Sequence, residues 1–254
     1  MTEIDYRNQF QKDAVAYDRI VQSKHIQLIY TLEKQVIEQY FSQINAGDKT
    51  LMDFACGSGR WTQVLEEHFA EVTGVDVSED MVSLARAKCR KADFIVTDIT
   101  GEQVNPALEG RRFDVITAFR FYKNAQESLR KAATEALPMY LKDDGIFVFD
   151  LHLNSFSFMG LLANFMRILQ FPKLFGMSQL MIRTISLRDI RRLLAESRFE
   201  IVDYFGMGVM PGRSNFTILP KKILYAIESF FTKKKVLRGI SYNILVIARL
   251  KRPK

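Results

Sequence analysis

Apolar and polar positions change rhythm along the chain, and the rhythm predicts its elements. "QLIYTLEKQVIEQYF" places Leu28, Ile29, Leu32, Val36, Ile37 and Tyr40 at helical spacing, so residues 1–45 read as a helical cap, closed by the breaker run Asn45–Asp48. Strand-like and helical runs then alternate. "KTLMDFA", "EVTGVDV", "ADFIVTDI", "RFDVITAFRF" and "DDGIFVFDLHL" read as strands, and "RWTQVLEEHF", "SEDMVSLARAKC" and "NAQESLRKAATEALPMYL" as the helices between them. Alternation of this kind predicts an α/β domain with a mostly parallel, doubly wound sheet and helices on both faces. After residue 155 the rhythm loosens. A Met- and Phe-rich stretch precedes the helix "SLRDIRRLLAESR", where Ser186 and Asp189 form a capping-box pattern. Two further strands, "FEIVDYFGMG" and "SYNILVIARLK", flank the amphipathic piece "KKILYAIESFFTKKK". The whole chain, 1–254, reads as one domain, with 153–183 and 207–238 inserted on the substrate side.

The first strand runs into "LMDFACGSGRWT". In an open parallel sheet, ligands bind beyond the carboxyl ends of the strands, where the first strand turns into its helix. Gly57 and Gly59 suit that turn, because a residue without Cβ lets the backbone approach a ligand. A carboxylate at Asp53 would repel a pyrophosphate but suits an ammonium. Asp76 ends the second strand, where it can accept from both ribose hydroxyls. Asp98 ends the third, where it can accept from an exocyclic amine of adenine. One such Asp is an ordinary turn residue; three on one rim beside a glycine turn point to a nucleoside ligand. A dinucleotide fingerprint is absent, since Gly59 is followed by Arg60, Trp61 and Thr62 rather than by a third glycine at the required spacing.

"LMDFACGSGRWTQVLEE", "VTGVDVSEDMVSLARAK", "DFIVTDIT" and "FDVITAFRFYKNA" together resemble the successive motifs of the class I S-adenosylmethionine-dependent methyltransferases, over about residues 48–155. The resemblance recurs weakly in "SLRDIRRLLAESRFEIVDYFG" and "YNILVIARL". It implies a seven-stranded sheet of order 3-2-1-4-5-7-6 with the last strand antiparallel. It also implies S-adenosyl-L-methionine as cofactor and S-adenosyl-L-homocysteine as product. By this resemblance Asp53 and the Ala55–Gly59 backbone hold the methionine end. Asp76 and Val77 hold the ribose, Asp98 and Ile99 the adenine, and Phe119 lies near the methionine end. Ala55 departs from the family pattern, which often begins with Gly.

Methyl transfer is an in-line displacement, so substrate residues are expected at the tips of strands four and five. Arg120 and Tyr122 follow strand four and are read as substrate-binding, Arg120 through an anionic group, with a surface salt bridge as its competing reading. His152 and Asn154 follow strand five; His152 is read as a catalytic base and Asn154 as substrate-binding, with a strand-capping histidine as the competing reading. His25 and His68 read as structural. Three scattered histidines and two cysteines show no ligand spacing, so no metal is expected. Residues 156–177 read as a lid or substrate wall, with core packing and contact with an anionic membrane as the other readings.

Charge sharpens the picture. Residues 156–254 hold 18 Lys+Arg and 5 Asp+Glu, a net of +13; residues 1–155 hold 18 basic and 24 acidic, a net of −6. The basic half suits an anionic partner. The expected partner is a small-molecule acceptor, anionic or apolar, for O- or N-methylation: a sugar, a lipid-linked compound or a secondary metabolite. An RNA-modifying enzyme using the basic half is the alternative, against which stand the lack of an RNA module and of an "NPPY"-type tetrapeptide after strand four. Two cysteines fit a reducing compartment. With no apolar leader at the N-terminus and no apolar run of about 18 residues, the location expected is cytoplasmic.

Overall fold

A computed structural model describes residues 24–101, 105–169, 184–208, 220–232 and 234–251. The expectations for residues 1–23, for the second half of the Met- and Phe-rich stretch and for 209–219 lie outside the described residues, as does the side chain of His25.

Seven strands form one sheet in the order β3-β2-β1-β4-β5-β7-β6, as the family resemblance implied. They are β1 (Thr50–Phe54), β2 (Glu71–Asp76), β3 (Asp93–Val96), β4 (Phe113–Ala118), β5 (Leu141–His152), β6 (Phe199–Met207) and β7 (Asn243–Leu250). β1 pairs in parallel with β2 and β4, β2 with β3, and β4 with β5. β7 runs antiparallel between β5 and β6. Its burial is nearly continuous, as a central strand covered on both faces requires.

Side chains alternate across the sheet into two helix-covered cores. Met52, Phe54, Ile116, Phe147 and Phe149 face one layer, with α5 (Glu127–Ala136) and α7 (Leu187–Ala195) above it. Leu51, Val72, Val115, Val148 and Leu245 face the other, where α1 (Lys24–Gln43) contributes Ile37 and Phe41. The remaining helices are α2 (Thr62–Leu65), α3 (Glu79–Lys88), α4 (Phe121–Asn124), α6 (Phe158–Ile168) and α8 (Lys221–Thr232).

Local signals set several boundaries. Ser78 caps α3, and Ser186 with Asp189 closes a full capping box on α7. The helix expected over 124–141 is shorter: α5 stops at Ala136, because Pro138 has no N–H to donate to the carbonyl four residues back, and a 3₁₀ turn takes over at Leu137–Met139. The helix expected over 60–69 shrinks to α2, and the residue that follows has its own task. Buried Glu66 accepts from the backbone N–H groups of Arg90, Lys91 and Ala92 at 2.8–3.1 Å, tying down the loop into β3. No helix among the described residues is long and apolar enough to cross a membrane.

Candidate active site

The order of chain connections reverses at β1, which has β2 on one side and β4 on the other. Ligands of open α/β sheets bind at that crevice, and the glycine turn 55–59 leaves β1 there. Ala55, Gly57 and Gly59 all adopt left-handed φ values, of 55°, 54° and 75°. The two glycines need this freedom for different reasons. At Gly57 nothing lies within 4 Å of where a Cβ would project, so the turn presents open space. At Gly59 a Cβ would stand 2.8 Å from that of Ala85, so this glycine seats the turn on α3.

The Gly57 N–H donates to Asp76 Oδ2 at 2.8 Å, and the Ser78 N–H to Asp76 Oδ1 at 3.0 Å. Burial pushes the Asp76 carboxyl up, against the pull of these hydrogen bonds. Glycine turn and second-strand carboxylate thus form one unit, with Val77 half-buried beside it. Asp98 lies at the neighbouring tip and accepts from the Thr100 N–H and hydroxyl at 2.9 and 2.6 Å; Ile99 is buried next to it. Phe119, just past β4, stacks on Trp61 at 4.5 Å. Tyr30 of α1 packs on Trp61 at 4.8 Å and carries the Arg60 guanidinium over its ring. The aromatic trio Tyr30–Trp61–Phe119 therefore packs as one group in the α1 layer, beside the glycine turn.

Asp53 requires a correction. Expected to accept from an ammonium, it is 1% exposed, and its two oxygens take the hydroxyls of Thr62 (2.6 Å) and Thr117 (2.8 Å). It points with Leu51 into the helix layer, below the crevice. Burial, partly offset by those hydroxyls, raises its pKa to about 6.

The acceptor side differs more from expectation. Tyr122 does not reach the crevice. It is fully buried against Phe149 and Phe121, its hydroxyl shared with Thr134, and burial pushes the phenol well above its ordinary value. Asn154 is also fully buried; its amide donates to Gly239 O and Ser241 O and accepts from the Phe156 N–H, fastening the end of β5 to the approach of β7. In both cases a left-handed residue comes first, Arg120 (φ 62°) or Leu153 (φ 61°), and turns the following side chains inward.

Arg120 centres a network that the sequence did not announce. Its guanidinium bonds Asp150, Glu33 of α1 at 2.6 Å and His152 Nδ1 at 3.0 Å, and its N–H donates to Asp150. Glu33 also accepts from the Asn243 amide. Glu33 and Asp150 are 2–3% exposed. Burial raises the Glu33 pKa, the Arg120 charge opposing and Asp150 adding to the rise. Two signals could have found this network: a carboxylate at Glu33 on the apolar stripe of a helix, and another at Asp150 inside a doubly covered strand.

The network fixes the state of His152. Arginine only donates, so Nδ1 must accept and the ring proton sits on Nε2. Nε2 lies 3.3 Å from the Tyr242 hydroxyl, which then accepts. Neither nitrogen keeps a lone pair for an incoming proton. The role of general base expected for His152 is therefore closed in this arrangement, and the imidazole orients Tyr242 instead. His68 meets Glu38 of α1 at 3.4 Å, a structural contact.

Comparison with known proteins places these features in a family. A demethylmenaquinone methyltransferase of Staphylococcus saprophyticus is 30% identical over 142 residues, 55% of this chain and 58% of that protein. A ubiquinone biosynthesis O-methyltransferase of Coxiella burnetii is 28% identical over 107 residues, 42% of this chain and 44% of that protein. The chain thus spans about half the length of the curated relatives it matches. The crystal structure of magnesium protoporphyrin IX methyltransferase from Synechocystis with bound S-adenosyl-L-homocysteine superposes over 98% of this chain and 100% of that one, with a TM-score of 0.63 at 16% identity, a likeness of fold. A family model described as a methyltransferase domain matches residues 24–204, and the chain belongs to that family, the class I S-adenosylmethionine-dependent methyltransferases that its strand-end motifs resemble.

Proposed function

We propose that the chain transfers a methyl group from S-adenosyl-L-methionine to a small-molecule acceptor by O- or N-methylation, with lipid-linked or otherwise apolar acceptors favoured over sugars. The observation that carries the cofactor reading is the unit of Gly57 and Asp76: a turn with open space where a Cβ would stand, bonded to a strand-end carboxylate. In this reading the 55–59 backbone holds the methionine end with Phe119 near it, Asp76 and Val77 hold the ribose, and Asp98 and Ile99 the adenine. When bound, the cofactor supplies an electrophilic sulfonium methyl group. The chain's own residues exclude water and align the nucleophile, a contribution of orientation rather than of covalent chemistry. Arg120 holds His152, and His152 holds Tyr242, so the three brace the tips of β4, β5 and β7 on the acceptor side. The apolar acceptor is supported by the quinone-type names of the two relatives and by the apolar surface around α6.

Titration calorimetry with S-adenosyl-L-homocysteine tests the cofactor reading. Asp76→Ala is expected to weaken binding roughly 10- to 100-fold, the loss of hydrogen bonds to a charged acceptor. Tight NAD binding with no response to S-adenosyl-L-homocysteine would overturn it.

A further inference from the structure

Among the described residues, thirteen large apolar side chains are exposed, and twelve of them fall between Phe156 and Ile240. They are organised. On α6, Phe158, Leu161, Leu162, Phe165, Ile168 and Leu169 form a stripe at helical spacing, each 41–75% exposed. The opposite face of α6, with Met159, Ala163 and Met166, packs on Leu153 and Tyr242. The helix is also held at its start: Ser157 caps it, and Gly160 sits so close to Asn154 that a Cβ there would stand 1.9 Å from its carbonyl oxygen. The stripe therefore projects from a fixed helix. α8 repeats the arrangement with Ile223 and Phe230 outward. Asn154, immediately before α6, bonds Gly239 and Ser241, so the 234–240 turn, with Val236 93% exposed, adjoins the same rim.

The charged residues that the sequence holds in these segments are nearly all of one sign. By sequence, segments 156–169 and 220–240 hold Arg167, Lys221, Lys222, Lys233, Lys234 and Lys235, besides Arg238, which is largely buried and paired with Asp203, against the single acid Glu228, which is 3% exposed and presents no negative surface. Lys234 extends over the ring of Phe230 at 4.7 Å, joining cation to apolar face.

We propose that this face docks on an anionic lipid bilayer, with the α6 and α8 stripes entering the headgroup–acyl boundary and the lysines meeting lipid phosphates. Apolar stripes rimmed by lysine are the chemistry of an interfacial helix. A second copy fits less well, because a two-fold contact would set the cationic rim against itself. The inference holds whatever the methyl acceptor is. Because α6 leaves the tip of β5, docking would set the acceptor side of the crevice against the bilayer.

The test is co-sedimentation of the full chain with vesicles of phosphatidylcholine alone and of phosphatidylcholine mixed with phosphatidylglycerol. Binding is expected to the anionic vesicles, to fall with added salt, and to drop at least roughly tenfold in the Leu161→Glu/Phe165→Glu variant, whose altered positions are exposed and leave the fold intact by circular dichroism. Lys222→Glu/Lys234→Glu should lower binding to anionic vesicles and leave the neutral ones unchanged. No binding to anionic vesicles at low salt would overturn the proposal. So would binding that the Leu161→Glu/Phe165→Glu variant retains. A self-associated wild type that this variant dissociates, without lipid binding, would assign the face to a second copy.

Discussion

Asp53→Asn should stabilise the protein at neutral pH, although it alters a residue at the heart of the glycine-turn motif. Burial lifts the Asp53 carboxyl from its ordinary 3.8 to about 6. At ~1.4 kcal/mol for each tenfold change in proton affinity, ionising this group in the folded state costs about 3 kcal/mol at pH 7. The sign follows from proton counting. Between pH 4 and 6 the folded state keeps a proton that the unfolded state has released, so this group's contribution is complete below pH 4, declines as pH rises to about 6, and is flat above that. Asparagine never ionises. Its amide group faces one of the two threonine hydroxyls, which must rotate from donor to acceptor, at a cost of about 1 kcal/mol for a poorer hydrogen bond. The expected net gain at pH 7 is about 1–2 kcal/mol. Urea unfolding of both proteins from pH 4 to 7 measures it, and the difference between them isolates Asp53 from other titrating groups. A difference that stays flat across this range would refute the reasoning, as would a variant less stable than the parent at pH 7 by more than about 1 kcal/mol. Asp53→Ala is the contrasting control: it strands the buried Thr62 and Thr117 hydroxyls and should destabilise at every pH.

Glu33→Ala should cost about 3–5 kcal/mol, since it leaves the Arg120 guanidinium facing one carboxylate fewer in a buried site, while Glu33→Gln should recover part of that loss; denaturant titration of both variants decides. At Asp114, burial raises the carboxyl, but hydrogen bonds from Lys142 and Thr50 outweigh it and leave the pKa at about 2. The stability it contributes is present above pH 4 and lost as pH falls towards 2, so Asp114→Asn should remove about 1 kcal/mol near neutrality, after solvent screening, and flatten the acid limb of the unfolding curve.

The sheet was legible because its strands carry their layer in their pattern. Alternating runs with helices between them imply parallel pairing, and the unbroken apolar run of β7 fits a strand covered on both faces. The rim acids were legible as strand-end residues, yet their partners were not. Thr117 lies 64 residues from Asp53, and no spacing rule links them. Tyr122 and Asn154 were misplaced for one reason. Arg120 and Leu153 take left-handed φ values that no Gly or Asn announces, so strand alternation ends there and the side chains beyond them swing into the core. Glu33 shows the complementary limit: its place on an apolar stripe can be read from helical spacing, while the partners waiting on β4, β5 and β7 cannot.

The costs in this fold are not spread evenly. Of the four non-glycine residues with positive φ among the described residues, Ala55, Arg120 and Leu153 follow β1, β4 and β5, at the carboxyl rim of the sheet. Left-handed backbone costs roughly 1–2 kcal/mol at each non-glycine position. The same rim holds the ionised Asp53 beneath the glycine turn and the buried Glu33–Arg120–Asp150 group beside it, where hydrophobic packing would serve stability as well or better. A fold selected for stability alone would have no reason to place strain and buried charge together at one end of its strands. Strain of this kind persists where the surrounding structure over-determines it, and it clusters at ligand clamps and active sites. Here the rim is over-determined by rigid neighbours: the paired tips of β4, β5 and β7, the seating of Gly59 on α3, and α1 clamped through Tyr30 and Glu33. A turn so held keeps its backbone N–H groups and carboxylates fixed before any ligand arrives, which is the preorganisation that an orientation-driven methyl transfer requires.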